Sequence, residues 1–144
     1  MINITIINGP NLNLLGKREP GVYGTASFDD CLTDLIQKYP TVHFTYFQSN
    51  IEGEIVDAIQ KAGFDQDGII INPAAYTHTS VAIGDAIAAI NTKVIEVHIS
   101  NVHAREDFRK ISHVSAKAVG SIVGLGLQGY ALATEWFVSN ANKQ

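Results

Sequence analysis

A carboxylate and an imidazole, two positions apart in Glu96-Val97-His98, form the first pair of side chains in this chain that could move a proton. Alternate residues of a β-strand share one face, so a strand here would place Glu96 beside His98. A neighbouring carboxylate strengthens the hold of an imidazole on its proton and fixes the orientation of the ring. The pair is therefore a candidate general acid near neutral pH, although an ordinary surface ion pair has the same spacing.

A long polar loop, residues 8–24, supplies two more groups for acid–base chemistry, Arg18 and Tyr23. Its glycines and prolines break regular structure, and a loop beyond about 15 residues in a compact domain is usually functional or disordered. Because its leucines can be buried, we predict an ordered lid over a site. A free phenol has a pKa of about 10. A guanidinium about 4 Å away, at an effective dielectric of about 20, favours the phenolate by roughly 4 kcal/mol, so Arg18 could make Tyr23 a base.

Further candidates follow the predicted strands or lie close to them. Asn11 lies in the loop after the first strand, Asn72 ends the third strand, and His78 comes just before a helix at the same edge. Arg105 and Arg109 are four positions apart and would share one face of a helix. There they could clamp an acidic or polyhydroxylated ligand, or simply form ion pairs with neighbouring acidic residues.

The elements that must position these groups alternate along the chain. Apolar runs predict strands at residues 2–7, 42–47, 68–71, 93–98 and 121–123, and helical patterns predict helices at residues 27–38, 53–62, 80–91 and 130–140. This alternation implies a parallel sheet covered on both faces. Right-handed crossovers then favour an α/β fold with a flavodoxin-like, doubly wound, five-stranded sheet in a single domain spanning residues 1–144. Ligands of such sheets bind beyond the carboxyl ends of the strands, where the candidates lie.

Composition excludes several classes of partner. The chain has 144 residues, of which 46% are hydrophobic and 17% charged, and its net charge is −4. Without a basic cluster, nucleic acid and anionic membranes are not expected as partners. The apolar runs are too short to span a bilayer. A single cysteine, Cys31, and an N-terminus unlike a signal peptide predict a cytoplasmic protein.

Familiar cofactor motifs are missing or out of place. The five histidines form no metal-binding pattern, so no metal is expected. Residues 124–129 match GxGxxG, but a dinucleotide site needs this motif in the first βα unit, so close packing of the last strand and helix explains it better. The candidates suit cofactor-free proton transfer beside a carbonyl, with an acid assisting a leaving group. A non-catalytic flavodoxin-like module for nucleotide or flavin, or another cofactor-free lyase or isomerase, remains an alternative.

Several segments, taken together, carry a family resemblance. They are residues 8–16, Arg18-Glu19-Pro20, Tyr23-Gly24, and residues 48–54, 71–80, 96–109 and 120–130. In combination they closely resemble the type II 3-dehydroquinases, also called 3-dehydroquinate dehydratases, over nearly the whole chain. The resemblance implies dehydration of 3-dehydroquinate to 3-dehydroshikimate in the shikimate pathway of aromatic amino acid biosynthesis, or in quinate catabolism. It also implies an anti elimination through an enolate, without cofactor, metal or Schiff base.

By motif position, the resemblance assigns catalytic roles to five residues. Tyr23 would remove the C2 proton, and Arg18 would stabilise its phenolate and close the lid. Asn11 would hold a water molecule that supports the enolate oxygen. His98, oriented by Glu96, would protonate the departing C1 hydroxyl.

The resemblance also implies how substrate and subunits are held. The substrate-binding residues would be Ile99 and Ser100 at the carboxylate, and Asn72, His78 and Arg109 at the ring hydroxyls. The family forms homododecamers, built as a tetramer of trimers, in which Asp85 would reach the site of a neighbouring subunit. Gly84 stands where many members carry a basic residue, a departure that concerns the trimer contact.

Overall fold

The structure, a computed structural model, describes residues 1–17 and 26–142. Its strands are β1 (Ile2–Asn8), β2 (Val42–Gln48), β3 (Gly68–Asn72), β4 (Val94–His98) and β5 (Gly120–Val123). Its α-helices are α1 (Phe28–Lys38), α2 (Glu52–Ala62), α3 (Val81–Ala88) and α4 (Gln128–Asn140), with short 3-10 turns between them. Arg18, Tyr23 and the second half of the predicted lid lie outside the described residues.

The five strands form one sheet in the order β2-β1-β3-β4-β5, and every neighbouring pair is parallel. This confirms the predicted doubly wound α/β fold. The strand order reverses between β1 and β3, the place where sheets of this kind bind ligands at the carboxyl ends of their strands. No helix in the described part of the chain is long and apolar enough to cross a membrane.

Both faces of the sheet are covered because its central strands are apolar on both sides. Ile4 and Ile6 of β1 pack toward α1 and α4, where Tyr130 is also buried. Ile7 of β1 faces the other layer, with Ile55 and Ile59 of α2. Burial of a parallel sheet on both faces accounts for the isoleucine-rich sequence of β1 and for the run of three isoleucines in β3.

Two helices begin at serine caps, Ser27 and Ser80. Ser27 forms a capping box with Asp30 at the start of α1, in which each side chain bonds the other's backbone N–H. At α3, the hydroxyl of Ser80 accepts from the backbone N–H of Ile83 at 3.0 Å. The caps fix where each chain segment leaves the sheet edge and becomes helical.

Helix α3 ends at Ala88, three residues before the predicted boundary. The backbone N–H groups of Asn91 and Thr92 both donate to the carbonyl of Gly63, at 3.0 and 2.8 Å. These bonds draw the chain toward the end of α2 and prepare it to enter β4, so the helix cannot continue.

A fully buried tyrosine ties α4 to the ends of the two central strands. The hydroxyl of Tyr130 donates to Oδ1 of Asn8 at 2.8 Å and accepts from Nδ2 of Asn72 at 3.0 Å. Burial raises the pKa of Tyr130 well above its ordinary value, so the phenol keeps its proton. Through this one hydroxyl, α4 holds Asn72 at the edge where a ligand would bind.

We predict that Tyr130→Phe destabilises the protein by about 1–3 kcal/mol, because Oδ1 of Asn8 and Nδ2 of Asn72 each lose a buried hydrogen bond. Urea unfolding followed by circular dichroism would measure this loss. Tyr76→Phe is the matched control, since the Tyr76 hydroxyl bonds the Asn50 carbonyl in an exposed place where water can substitute. Equal midpoints for the two variants would contradict the prediction.

Candidate active site

A cavity that is partly open to solvent lies at the carboxyl ends of β1, β3 and β4. Among the residues that line it are the predicted site residues Asn11, Asn72, His78, His98, Ile99, Ser100 and Arg109. These residues come from four separate parts of the sequence. The fold brings them together at the switch point of the sheet, where open α/β sheets bind their ligands.

Glu96 and His98 form a buried pair at the end of β4. Nε2 of His98 lies 2.5 Å from Oε2 of Glu96, and both side chains are almost inaccessible to solvent. An ionised carboxylate can only accept hydrogen bonds, so Nε2 carries a proton and Nδ1 is left to face a ligand. The predicted pairing of these residues on one strand face is therefore confirmed.

Glu96 is ionised although its side chain is buried. Burial alone would raise the pKa of this carboxyl, but hydrogen bonding and attraction to His98, with further hydroxyl donors, bring the pKa to about 2. Because the pKa lies below the value of about 4.3 for an unfolded glutamate, Glu96 stabilises the folded state above that pH. This contribution is lost as the pH falls through about 2.

His78 lies across the cavity from the pair, its ring centroid 6.3 Å from that of His98. Its Nδ1 is 2.7 Å from the carbonyl of Ile111, which can only accept, so Nδ1 carries the proton. Partial burial lowers the pKa of His78, and the nearby His98 and Arg109 lower it further. A neutral ring with its lone pair on Nε2 can accept a hydrogen bond from a ligand hydroxyl.

The end of β4 is held by the glycine-rich turn that follows β5. Gly124 N–H donates to the carbonyl of His98, and Gly126 N–H donates to that of Ile99, both at 3.0 Å. Both glycines have positive φ, at 88° and 65°, which favours glycine over other residues. Since a trans peptide directs its N–H opposite to its carbonyl, the amides of Ile99 and Ser100 point away from this turn. The turn thereby presents two amides for an anion.

The last glycine of the same motif has a different role. A Cβ at Gly129 would lie 3.1 Å from Cγ1 of Val97, so the absence of a side chain lets α4 approach the sheet closely. The prediction that GxGxxG reflects packing is confirmed for this position. At Gly124 and Gly126 the reason is the turn conformation just described, which the sequence pattern did not reveal.

Polar groups at the end of β2 support the loop after β1. Oδ1 of Asn50 accepts from the backbone N–H of Asn11 at 3.0 Å and from Nε2 of Gln48 at 3.3 Å. Asn11 itself has a left-handed φ of 69°, which asparagine tolerates better than most residues. The support from β2 holds Asn11 in this conformation at the rim of the cavity.

The segment after β4 does not form one continuous helix, so the predicted shared helix face of Arg105 and Arg109 is wrong. It forms two short 3-10 turns, Val102–Ala104 and Asp107–Lys110, with Arg105 extended between them. Both arginines nevertheless line the cavity. Arg109 also bonds Glu106 at 3.0 Å, so the ion-pair interpretation is confirmed, and a role for these arginines in binding a ligand stays a prediction.

Arg105 is the cavity residue that sequence reasoning considered but did not select. Its Nη1 lies 3.4 Å from the hydroxyl of Ser100, close to the two amides at the end of β4. Ala74 was not foreseen: it lines the cavity with a φ of 53°, a strained value for alanine. Only the polar character of the surrounding Asn72–His78 segment pointed toward this position.

The cavity is electropositive in the part of the chain that the structure describes. Its lining includes the guanidinium groups of two arginines, the imidazoles of two histidines and the backbone amides at the end of β4. None of its described lining residues is acidic. Glu96 lies behind His98, with no exposed surface. The lining suits a small anion with several hydroxyl groups. Among the described residues, no three histidine, cysteine or acidic side chains are grouped to hold a metal.

Asp85 is not part of this cavity. It lies on the exposed side of α3. The adjacent Gly84 is buried, and a Cβ there would lie 2.3 Å from the carbonyl oxygen of His113. A basic residue at position 84 would therefore require the backbone near His113 to shift.

Comparison with known proteins places this geometry in a family. Residues 2–138 match the family model described as dehydroquinase class II. A 3-dehydroquinate dehydratase of Bacillus pumilus is 51% identical over 141 residues, covering 96% of each chain. A catabolic 3-dehydroquinase of Aspergillus clavatus is 53% identical over 140 residues, covering 96% of this chain and 93% of its own.

Solved structures agree with the sequence comparison. The type II dehydroquinase of Butyrivibrio crossotus superposes with a TM-score of 0.91 at 46% identity, covering 95% of this chain and 97% of the other. A 3-dehydroquinate dehydratase-like protein of Bifidobacterium longum gives 0.72 at 27% identity, covering 99% of this chain and 100% of the other. With a family match over nearly its whole length and the acid pair set in the expected cavity, this chain belongs to the class II dehydroquinases.

Proposed function

We propose that this protein is a type II 3-dehydroquinate dehydratase, a hydro-lyase of the shikimate pathway that converts 3-dehydroquinate to 3-dehydroshikimate. The observation that carries the proposal is the buried Glu96–His98 pair, 2.5 Å apart, at the edge of an electropositive cavity in a chain of this family. The substrate is a carboxylate with several ring hydroxyls, which is the chemistry that the cavity suits.

The first half of the reaction removes a proton from C2, next to the ketone. Tyr23, ionised beside Arg18, takes this proton, and the electron pair of the broken C–H bond moves onto the carbonyl oxygen to form an enolate. A water molecule held by Asn11 donates to that oxygen. General-base assistance of this kind commonly accelerates a reaction by about 10² to 10⁴-fold.

The second half expels the C1 hydroxyl. As the enolate re-forms the ketone, its electrons make the C1–C2 double bond and the C1–O bond breaks. His98 gives the leaving oxygen a proton from Nδ1, so that water departs. Glu96 holds the imidazole in place through Nε2 and stabilises its positive charge.

The remaining cavity residues orient the substrate. The amides of Ile99 and Ser100, with the Ser100 hydroxyl, bind the substrate carboxylate, and the positive field of Arg105 and Arg109 supports this binding. Asn72, held by Tyr130, and neutral His78 take the ring hydroxyls, together with Arg109.

The functional unit is a cytoplasmic homododecamer made of four trimers, in which Asp85 of one subunit completes the site of its neighbour. Exposed apolar side chains near the cavity support this assembly, because Val81, Phe108 and Ile111 are 58%, 55% and 60% exposed in the single chain. Phe108 and Ile111 both lie against His78, and exposed apolar side chains grouped in this way favour contact with another chain.

Adding 3-dehydroquinate to the purified protein should produce the ultraviolet absorbance of a conjugated enone, because the product has a double bond next to its carboxylate and in conjugation with its ketone. The measurement is a continuous spectrophotometric assay, with heat-unfolded protein as the blank. No rise in absorbance from well-folded protein would reject the proposed function.

Tyr23→Phe should lower kcat by about 10² to 10⁴-fold and leave ligand affinity near the wild-type value, because it deletes only the proton acceptor. Steady-state kinetics and ligand titration would measure the two effects. Tyr39→Phe is the control, since the Tyr39 hydroxyl bonds the Ala131 carbonyl and does not line the cavity. Wild-type turnover in Tyr23→Phe would remove this residue from the role.

Analytical ultracentrifugation should give a mass near twelve times 15.6 kDa. Asp85→Asn should preserve this mass and lower kcat/KM by about tenfold or more, since a charge that reaches the neighbouring site would be lost. A fully active monomer would contradict the assembly, and an Asp85→Asn enzyme with unchanged kinetics would contradict the role of Asp85.

A further inference from the structure

Glu96 is completely buried at the end of β4. An ionised carboxylate is strongly disfavoured in the protein interior unless hydrogen bonds replace the water it has lost. One imidazole cannot replace that water, because a carboxylate has about four acceptor positions. Other hydrogen-bond donors must therefore help His98 to stabilise the charge of Glu96.

These donors are all hydroxyl groups. Thr77 Oγ1 lies 2.5 Å from Oε2 of Glu96, on the same oxygen as His98, and Ser115 Oγ lies 2.5 Å from Oε1. Ser112 and Ser121 add longer contacts, at 3.2 Å to Oε2 and 3.3 Å to Oε1. We call Thr77, Ser112, Ser115 and Ser121 the hydroxyl cage.

The cage is itself held in a fixed orientation. Ser112 Oγ accepts the backbone N–H groups of Val114 and Ser115, at 3.1 and 3.0 Å. Its lone pairs are thus occupied by the turn, and its one proton is directed toward Glu96 or Thr77. Thr77 is only 1% exposed, so no bulk water competes for its hydroxyl.

We infer that the hydroxyl cage positions Glu96 and keeps it ionised, so that Glu96 accepts the Nε2–H of His98 while Nδ1 delivers a proton to the leaving group. This inference rests on the proposed dehydratase function. If Glu96 took the Nε2 proton, the ring would lose the positive charge that makes its Nδ1–H a good proton donor. The cage residues act through Glu96 and are positioning residues, not catalytic ones.

The electrostatics around the pair agree with this role. Burial raises the pKa of Glu96, while His98 and the hydroxyls of Ser115 and Thr77 lower it to about 2. Among the described residues, the other charged or titratable groups that share the cavity with His98 are His78, Arg105 and Arg109. The cage hydroxyls do not line this cavity, and they contact the Glu96 carboxylate directly.

The decisive variant is Thr77→Val, which keeps the shape of the side chain and removes its hydroxyl. The pKa of Glu96, followed through its carboxyl carbon by NMR in the ligand-free enzyme, should rise by about one pH unit or more. We expect kcat to fall by about tenfold or more with KM changed less than about twofold. Thr77→Ser retains the hydroxyl and should restore both values.

Ser115→Ala gives a second test that does not depend on the folding of Thr77→Val. Ser115 lies at the surface, where water can partly take its place, so the pKa of Glu96 should rise less but in the same direction. Ser139→Ala is the matched control, because Ser139 lies in α4 and contacts Glu135.

An unchanged Glu96 titration in folded Thr77→Val and Ser115→Ala would overturn the inference, and so would a shifted titration with unchanged kcat in both. The NMR titration needs no substrate. A wild-type protein without dehydratase activity would therefore reject the proposed function separately, while the titration would still decide whether the cage controls Glu96.

Discussion

The hydrogen bond between Glu96 and His98 is the interaction on which the site depends. It joins a carboxylate with no exposed surface to an imidazole that lines the cavity, over 2.5 Å. Because Nε2 of His98 bonds the carboxylate, the orientation of the ring is fixed. Nδ1 is then the nitrogen that can meet a ligand. Residues from other parts of the chain then surround this pair: hydroxyls behind it, and cations, amides and a second imidazole in front of it.

The sheet makes this arrangement possible by bringing separate loops to one edge. Gly9 donates its N–H to the carbonyl of Asn72 at 2.8 Å, and a Cβ on Gly9 would lie 2.5 Å from the carbonyl oxygen of Pro73. The loops after β1 and β3 therefore contact each other directly. The Tyr130 hydroxyl of α4 bonds Asn8 and Asn72 at the ends of the same two strands. The position of Asn72 therefore depends on α4 as well as on its own strand.

Unusual backbone conformations are concentrated around the cavity. Asn11 and Ala74 are the described non-glycine residues with positive φ, and both line it. A strained backbone persists only where its surroundings determine it closely. Here Asn50 bonds the N–H of Asn11, and Oδ1 of Asn72 accepts the N–H of Ala74 at 3.1 Å. The stability of the surrounding fold thus maintains the shape of the binding surface.

The amino-acid sequence by itself determined the order of elements, the fold class and most of the polar residues that line the cavity. Strand periodicity put Glu96 and His98 on one face, and the polar residues at the strand ends indicated where a ligand binds, because both signals are local. The tertiary structure alone decided that Arg105 lines the cavity despite a broken helix, that glycines after β5 orient the amides of Ile99 and Ser100, and that hydroxyls far apart in sequence enclose Glu96. Such contacts join residues up to 25 positions apart around a single carboxylate, and no local pattern records them.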